Sequence, residues 1–287
     1  MKGIVLAAGK GTRLYPMTLP VCKPLLPVYD KPLIYYPVSV LMQAGIREIL
    51  VIVPPGEESV FQALMGDGSQ WGMSISYAVQ TVPRGIADAM LVGADFIGDD
   101  SVCLVLGDNI FHQERLPALL KEAAEQQAGA TVFGYYVEDP RPFGVVEFGP
   151  DGMARSIEEK PQNPRSNYII PGLYFYDNQV IEIARRLKPS ARGELEITDV
   201  NLAYLNQGQL KVITLDRDFV WLDAGTADSV LEASETVRDI QRATGRYVGC
   251  IEELAQKEGW ITLEQVHNLG EALAKTRYGQ YLLGLSR

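Results

Sequence analysis

Histidine and cysteine are scarce in this chain of 287 residues, with two of the first, His112 and His267, and three of the second, Cys22, Cys103 and Cys250. The histidines are far apart, which disfavours a His-based metal site or a Ser/His/Asp triad. The cysteines are odd in number and widely spaced, so they support neither a disulfide framework nor a zinc cluster; they read as packed thiols in a reducing cytoplasm. No stretch of about 18 apolar residues runs uninterrupted, so neither a membrane span nor a signal peptide is expected. Positive charge is in deficit, 26 Lys and Arg against 36 Asp and Glu for a net charge of -10. That balance argues against a general nucleic-acid binder, which must neutralise many backbone phosphates. Internal repeats and low-complexity tracts are absent as well.

A hydrophobic fraction of 47% suits a well-buried core. Its first segment, residues 3 to 24, reads GIVLAAGKGTRLYPMTLPVCKP, a hydrophobic strand entering a glycine-rich loop with Arg13 and Lys23. Gly9 and Gly11 permit backbone turns and close approach to an anion, Arg13 offers a fork of donors and Lys23 a mobile ammonium. It is not a P-loop, because one residue separates the glycines and Thr12-Arg13 follows. It is not a dinucleotide fingerprint either, since Leu14 takes the third glycine's place and Pro16 and Pro20 obstruct the helix that should follow. A small anionic substrate fits an acidic body with local cations, for which Arg13, Lys23, Lys160 and Arg192 are candidates.

Apolar runs at Gly3 to Ala7, Glu48 to Val53, Ser74 to Ala78 and Val102 to Leu106 read as buried parallel strands. Helical spacing at Leu33 to Ala44, Glu57 to Leu64 and Ile86 to Ala94 supplies the crossovers. The fold class expected is α/β, a Rossmann-like three-layer sandwich with ligands beyond the carboxyl ends of the strands. After Gly129 the runs Thr131 to Tyr136, Val145 to Phe148, Ala154 to Glu158 and Leu173 to Tyr176 predict a mixed central sheet with a small β extension, including a hairpin at Gly149-Pro150-Asp151-Gly152. A long helix at Thr226 to Arg242 precedes a C-terminal helical appendage with helices at Ile251 to Glu258, Leu263 to Leu273 and Tyr278 to Leu285.

Asp108 ends the run Val102 to Leu106 through Gly107, at the ligand edge of the sheet, and is a natural Mg²⁺ ligand. Asp223, after the run Phe219 to Leu222, is the second candidate; either residue alone also fits a turn or N-cap aspartate. Glu159 and Lys160, stopped by Pro161, can meet sugar hydroxyls and a sugar phosphate or simply form a solvated bend. Arg192 and Glu194 either line a site or cap the helix beginning near Thr198. Together these residues suggest nucleotide and phosphate chemistry assisted by Mg²⁺, in which alignment and charge neutralisation replace a covalent nucleophile.

In order along the chain occur LAAGKGTRLYPMT, CKPLLPVYDKPLIYYPVSVLMQAGI, LVLGDNIF, GVVEF, EEKP, SNYIIPGLYFYD, ARGELEITDVN and WLDAGT. Over essentially its whole length the chain resembles the glucose-1-phosphate thymidylyltransferases of the sugar-nucleotidyltransferase superfamily. The resemblance implies a cytoplasmic homotetramer in which glucose 1-phosphate attacks the α-phosphorus of dTTP, giving dTDP-glucose and pyrophosphate. It implies Mg²⁺ on Asp108 and Asp223, with Arg13 and Lys23 around the triphosphate. Leu6, Ala8, Gly9, Gly11 and Thr12 would underlie the nucleotide, and Gln80 and Gly85 would meet the base. Lys160 and Arg192 fall to the sugar phosphate, and Gly144, Glu159 and Ile170 to the hexose. It further implies a nucleotidyltransferase domain over 1–242, with nucleotide and sugar halves of about 1–129 and 130–242. The tail, 243–287, would serve assembly and regulation by a dTDP-sugar inhibitor.

The chain departs from the family pattern in the base loop. Where S-P-D-G-L-A-Q-A is common, this chain has Val82-Pro83-Arg84-Gly85-Ile86-Ala87-Asp88-Ala89. Pro171, Phe143, His112, Gln113, Ala224, Asp218 and Lys257 are further departures. A UTP-using or other-hexose-1-phosphate transferase is the alternative enzyme reading, and a non-catalytic nucleotide-sugar sensor is the alternative from another class.

Overall fold

The computed structural model describes residues 1–285. In chain order it runs through β1 (Lys2–Leu6), β2 (Pro27–Val28), β3 (Lys31–Pro32), α1 (Tyr35–Gln43), β4 (Glu48–Val53), α2 (Glu58–Met65) and β5 (Ser74–Val79). Next come α3 (Asp88–Val92), α4 (Ala94–Ile97), β6 (Val102–Leu106), β7 (Asn109–His112), α5 (Leu116–Ala124) and β8 (Ala130–Tyr136). The second half continues with β9 (Gly144–Phe148), β10 (Ala154–Glu159), β11 (Tyr168–Ile169), β12 (Leu173–Tyr176), α6 (Gln179–Arg186) and α7 (Ile197–Asn206). Then follow β13 (Leu210–Thr214), β14 (Val220–Asp223), α8 (Ala227–Thr244), α9 (Ile251–Lys257), α10 (Leu263–Ala272) and α11 (Arg277–Leu285).

A ten-stranded mixed sheet forms the centre, in the order β10-β9-β11-β8-β12-β6-β1-β4-β5, with β13 parallel to β8. Its central first-half strands, β1, β4 and β6, are largely buried on both faces, as β4 shows with every residue after Glu48 buried. They pair in parallel, β1 with β4 and β6, and β4 with β5, as strands covered by helices on both sides do. The antiparallel strands β12, β8, β11, β9 and β10 extend the sheet beyond β6. From β1 the chain moves outward to β4 and β5, then returns to β6 on the other flank of β1. That reversal opens a crevice at the carboxyl ends of β1 and β6, where open α/β sheets take their ligands.

The expected helix over Ile86 to Ala94 is instead two short ones, α3 and α4, divided at Gly93. A methyl group on Gly93 would lie 2.8 Å from Ile4 Cδ1, so this crossover lies close to the sheet. The long helix α8 begins at a capping box between Thr226 and Ser229 and ends at Gly245, whose φ is 68°. In the tail, Cys250, Ile251, Ala255, Ile261, Val266 and Leu282 pack into the same core as α1 and the sheet residues Val5, Ile49 and Val51. All three cysteines are buried thiols. Among the described residues no helix is long and apolar enough to cross a membrane.

Candidate active site

After β1 the backbone reaches Gly11, which adopts a left-handed conformation (φ 61°) where a side chain would meet Lys23 Cβ at 3.0 Å. Thr18 Oγ1 donates to the Gly11 carbonyl at 2.7 Å. Gly9 differs from expectation: its φ is not positive and its Cβ position is open, so its missing side chain leaves free space and not a turn. A short 3-10 turn, Thr12–Leu14, buries Leu14 and projects Arg13 outward.

The end of β6 is joined to the same edge by the Gly107 N–H, which donates to the Leu6 carbonyl at 2.9 Å. Asp108 follows, and the chain turns into β7. Sequence patterning places Asp223 at the end of an apolar strand, and it does end β14; that strand, however, lies outside the central sheet. It pairs antiparallel with β7, setting Asp223 opposite Asn109. The pairing brings together two carboxylates more than a hundred residues apart.

Lys23 Nζ donates to Asp108 Oδ2 and lies 3.9 Å from Asp223 Oδ1. The lysine is buried and braces the carboxylates from behind; the cleft is lined by Arg13, Asp108 and Asp223 themselves. A methyl group on Gly225 would lie 3.0 Å from Asp223 Oδ2 and 3.3 Å from Arg13 Nη2, so glycine lets these groups converge. Burial and the Asp108 charge push the Asp223 carboxyl up to about 6 against the opposing pull of Lys23 and Arg13.

Asn109 was not expected as a site residue, yet it organises this centre. Its Nδ2 donates to Asp108 Oδ1 at 2.8 Å, while its Oδ1 accepts from Trp221 Nε1 at 2.7 Å and the Gly172 N–H at 3.1 Å. Buried and with both ends of its amide engaged, it fixes the Asp108 carboxylate and the β12 entrance together. The only sequence signal was its place directly after Asp108.

Across the same cleft, of about 920 Å³, stand Gly144, Glu159, Lys160 and Ile170. The Thr198 hydroxyl donates to Glu159 Oε2 at 2.5 Å, and a side chain on Gly144 would meet that hydroxyl at 3.0 Å. Lys160 has a positive φ of 46° and is exposed, with its Nζ 3.8 Å from Glu159 Oε1. Trp221 meets Phe143 edge to face at 5.3 Å, closing part of the wall. Arg192 stands apart from the cleft lining: its Nη2 contacts Glu159, Glu194 and Glu196 at 3.3, 3.2 and 2.7 Å. Its contact with Glu159 makes it a support for that carboxylate in this structure.

On the opposite flank, Gln80 follows β5, and its backbone N–H donates to the Val53 carbonyl at 3.0 Å. Gln80 is buried, and Gly85 takes a positive φ of 107°. The sheet edge thus carries, from β6 through β1 and β4 to β5, Asp108, the glycine loop and then the Gln80 region.

A family profile described as "Nucleotidyl transferase" matches residues 2–240. A glucose-1-phosphate thymidylyltransferase of Neisseria meningitidis is 56% identical over 285 residues, 99% of each chain. One from Mycobacterium tuberculosis is 55% identical over 285 residues, again 99% of each. Among solved structures, a Bacillus anthracis protein in complex with sucrose superposes with a TM-score of 0.77 at 42% identity, covering 83% of this chain and 96% of that one. A UDP-glucose pyrophosphorylase complexed with UDP-glucose gives a TM-score of 0.71 at 26% identity, covering 83% and 98%.

Proposed function

Because the chain belongs to the nucleotidyl transferase family, and within it to the glucose-1-phosphate thymidylyltransferases, it is a nucleotidyltransferase, and we propose that it joins dTTP and glucose 1-phosphate into dTDP-glucose with Mg²⁺. One observation carries the reading: Arg13, Asp108 and Asp223 face Glu159 and Lys160 in a single cleft at the switch point of the sheet. A phosphate oxygen of glucose 1-phosphate forms a bond to the α-phosphorus. The bond from that phosphorus to the bridging oxygen breaks, and its electron pair leaves with pyrophosphate.

The nucleophile is already an anionic oxygen, so no general base is needed; the protein must align two anions and offset their repulsion. Arg13 meets the triphosphate, and Lys160 the sugar phosphate. Glu159, oriented by Thr198 and Arg192, accepts from hexose hydroxyls. Lys23 acts through Asp108, which it holds in place.

Asp108 and Asp223 are the residues that would hold Mg²⁺. Burial first and the Asp108 charge second raise the Asp223 carboxyl, and a cation between the two carboxylates would favour its charged form. A pair of carboxylates matches Mg²⁺, which uses one or two and completes its shell with water and phosphate oxygens. When bound, the metal would neutralise phosphate charge along the reaction.

The expected homotetramer belongs to the same proposal and is checked by the solution mass. A matrix of dTTP and UTP against glucose and galactose 1-phosphates, read by pyrophosphate release, tests the chemistry. Turnover greatest with dTTP and glucose 1-phosphate supports the reading. Preference for UTP or galactose 1-phosphate replaces the substrate assignment, and nucleotide-sugar binding without pyrophosphate release replaces the transferase.

A further inference from the structure

The segment from Gln80 to Asp88 is held by its own hydrogen bonds. Gln80 Nε2 donates to Asp88 Oδ2 at 2.9 Å, and Arg84 Nη2 donates to Asp88 Oδ1 at 2.7 Å. Asp88 is 1% exposed and Gln80 6%, whereas the Arg84 side chain is 57% exposed. Arg84 and Asp88, the two charged departures from the family pattern, therefore compensate one another between the loop and the first residue of α3. Leu195 clamps the loop from outside: its N–H donates to the Arg84 carbonyl at 2.6 Å, and its carbonyl accepts from the Ala87 N–H at 3.2 Å.

A free glutamine amide can serve two pyrimidine edges. With one orientation it accepts from an N3–H and donates to the C4 carbonyl; rotated by half a turn, it donates to an unprotonated N3 and accepts from a C4 amine. A carboxylate can only accept, so the nitrogen of Gln80 must face Asp88 and its oxygen must face away. No other hydrogen bond engages the Gln80 side chain among the described residues. No buried side-chain polar atom lacks a partner, so Oε1, which has none, is open to solvent.

We infer that Asp88, held by Arg84, is a specificity-determining positioning residue that locks the Gln80 amide to select an imide base, thymine or uracil, over cytosine. The inference rests on the reading in which Gln80 meets the nucleobase. Asp88 touches no substrate; it works by forbidding the amide rotation that cytosine would require. Arg84 supplies the counter-charge that lets a carboxylate occupy so enclosed a position.

The test compares dTTP with dCTP, by kcat/KM for pyrophosphate release with glucose 1-phosphate and by equilibrium binding of each triphosphate. Asp88→Asn can present either an oxygen or an amine to Gln80 and releases the lock. It is expected to lower the dTTP-to-dCTP preference by about tenfold or more, the weight of one or two neutral hydrogen bonds, with the KM for glucose 1-phosphate unchanged. Arg84→Gln, an exposed change that spares the core, is expected to lower the preference by a smaller factor. Both variants are checked for folding by circular dichroism. Gln80→Ala separates the two ideas. If it erases the preference while Asp88→Asn and Arg84→Gln leave the preference within about twofold of the parent, the lock is refuted. If Gln80→Ala also leaves it unmoved, the nucleobase lies elsewhere and the placement on which the lock depends is overturned.

Discussion

Asp223 stands opposite Asn109 at the end of the β7–β14 ribbon, and this one register sets the second carboxylate of the centre beside the first. Asn109 holds Asp108 directly, so the ribbon, the buried Lys23 and Asp108 form a single braced unit. Its parts contribute differently to stability and to turnover.

Asp108→Asn is expected to lower turnover of dTTP and glucose 1-phosphate by roughly 10² to 10³, the range for removing one electrostatic group at a reacting centre. Pyrophosphate release over a Mg²⁺ titration measures it. A variant that folds and retains the parent rate and Mg²⁺ dependence removes Asp108 from the centre.

Asp223→Asn is expected to stabilise the metal-free protein near pH 7 while lowering activity. The folded carboxyl is raised to about 6 from an ordinary value of 3.8, so between those values the folded state binds the proton more than the unfolded state does. Stability therefore declines as pH rises from about 4 to 6 and stays low above that. A shift of this size is worth up to about 3 kcal/mol. Thermal melts in chelator should show the variant melting above the parent at pH 7.5 and level with it near pH 3; a gap independent of pH contradicts the strained pair.

Replacing Asn109 with leucine takes away the acceptor for two N–H groups and the donor to Asp108. Each buried donor left unpaired costs about 1–3 kcal/mol, so denaturant unfolding should show a loss of that order. Turnover should fall with it, because Asp108 loses its orienting partner. Normal stability with normal turnover shows the network to be dispensable.

Gly85→Ala places a methyl group 2.4 Å from the Leu195 carbonyl oxygen, at a φ of 107° that side chains rarely adopt. The Leu195 clamp must move. The KM for nucleotide is expected to rise by about tenfold, with backbone strain of about 1–3 kcal/mol, while the KM for glucose 1-phosphate changes little. Steady-state kinetics with each substrate varied in turn measures both; equal rises assign Gly85 to global stability alone.

Several elements were legible because their signal is local. The run Glu48 to Val53 is buried after its first residue, and a continuous apolar stretch of that length has few other uses. Val102 to Leu106 and Leu173 to Tyr176 match their strands residue for residue. Gly93 packs closely on Ile4 and Leu50 at the point where α3 gives way to α4, a contact no local pattern encodes. The helices α5 and α6, and the strands β2, β3, β7, β11 and β13, are not among the elements expected from the sequence. For β13 the reason is physical, since its place is decided by parallel pairing with β8 about 80 residues away, which no local pattern encodes.

The candidate site divides along the same line. By itself the sequence determined that Gly11 and Arg13 follow a buried strand and that Asp108 ends another, because strand burial and glycine-bearing turns are properties of short segments. Tertiary structure decided that Lys23 stands behind the carboxylates, that Arg192 braces Glu159, and that Asp223 meets Asp108 through a ribbon outside the main sheet. It also decided that Arg84 and Asp88 form a pair fixing Gln80. Each of these outcomes depends on which distant segment approaches and which hydrogen-bond valence is left to fill. Those are properties of the assembled core.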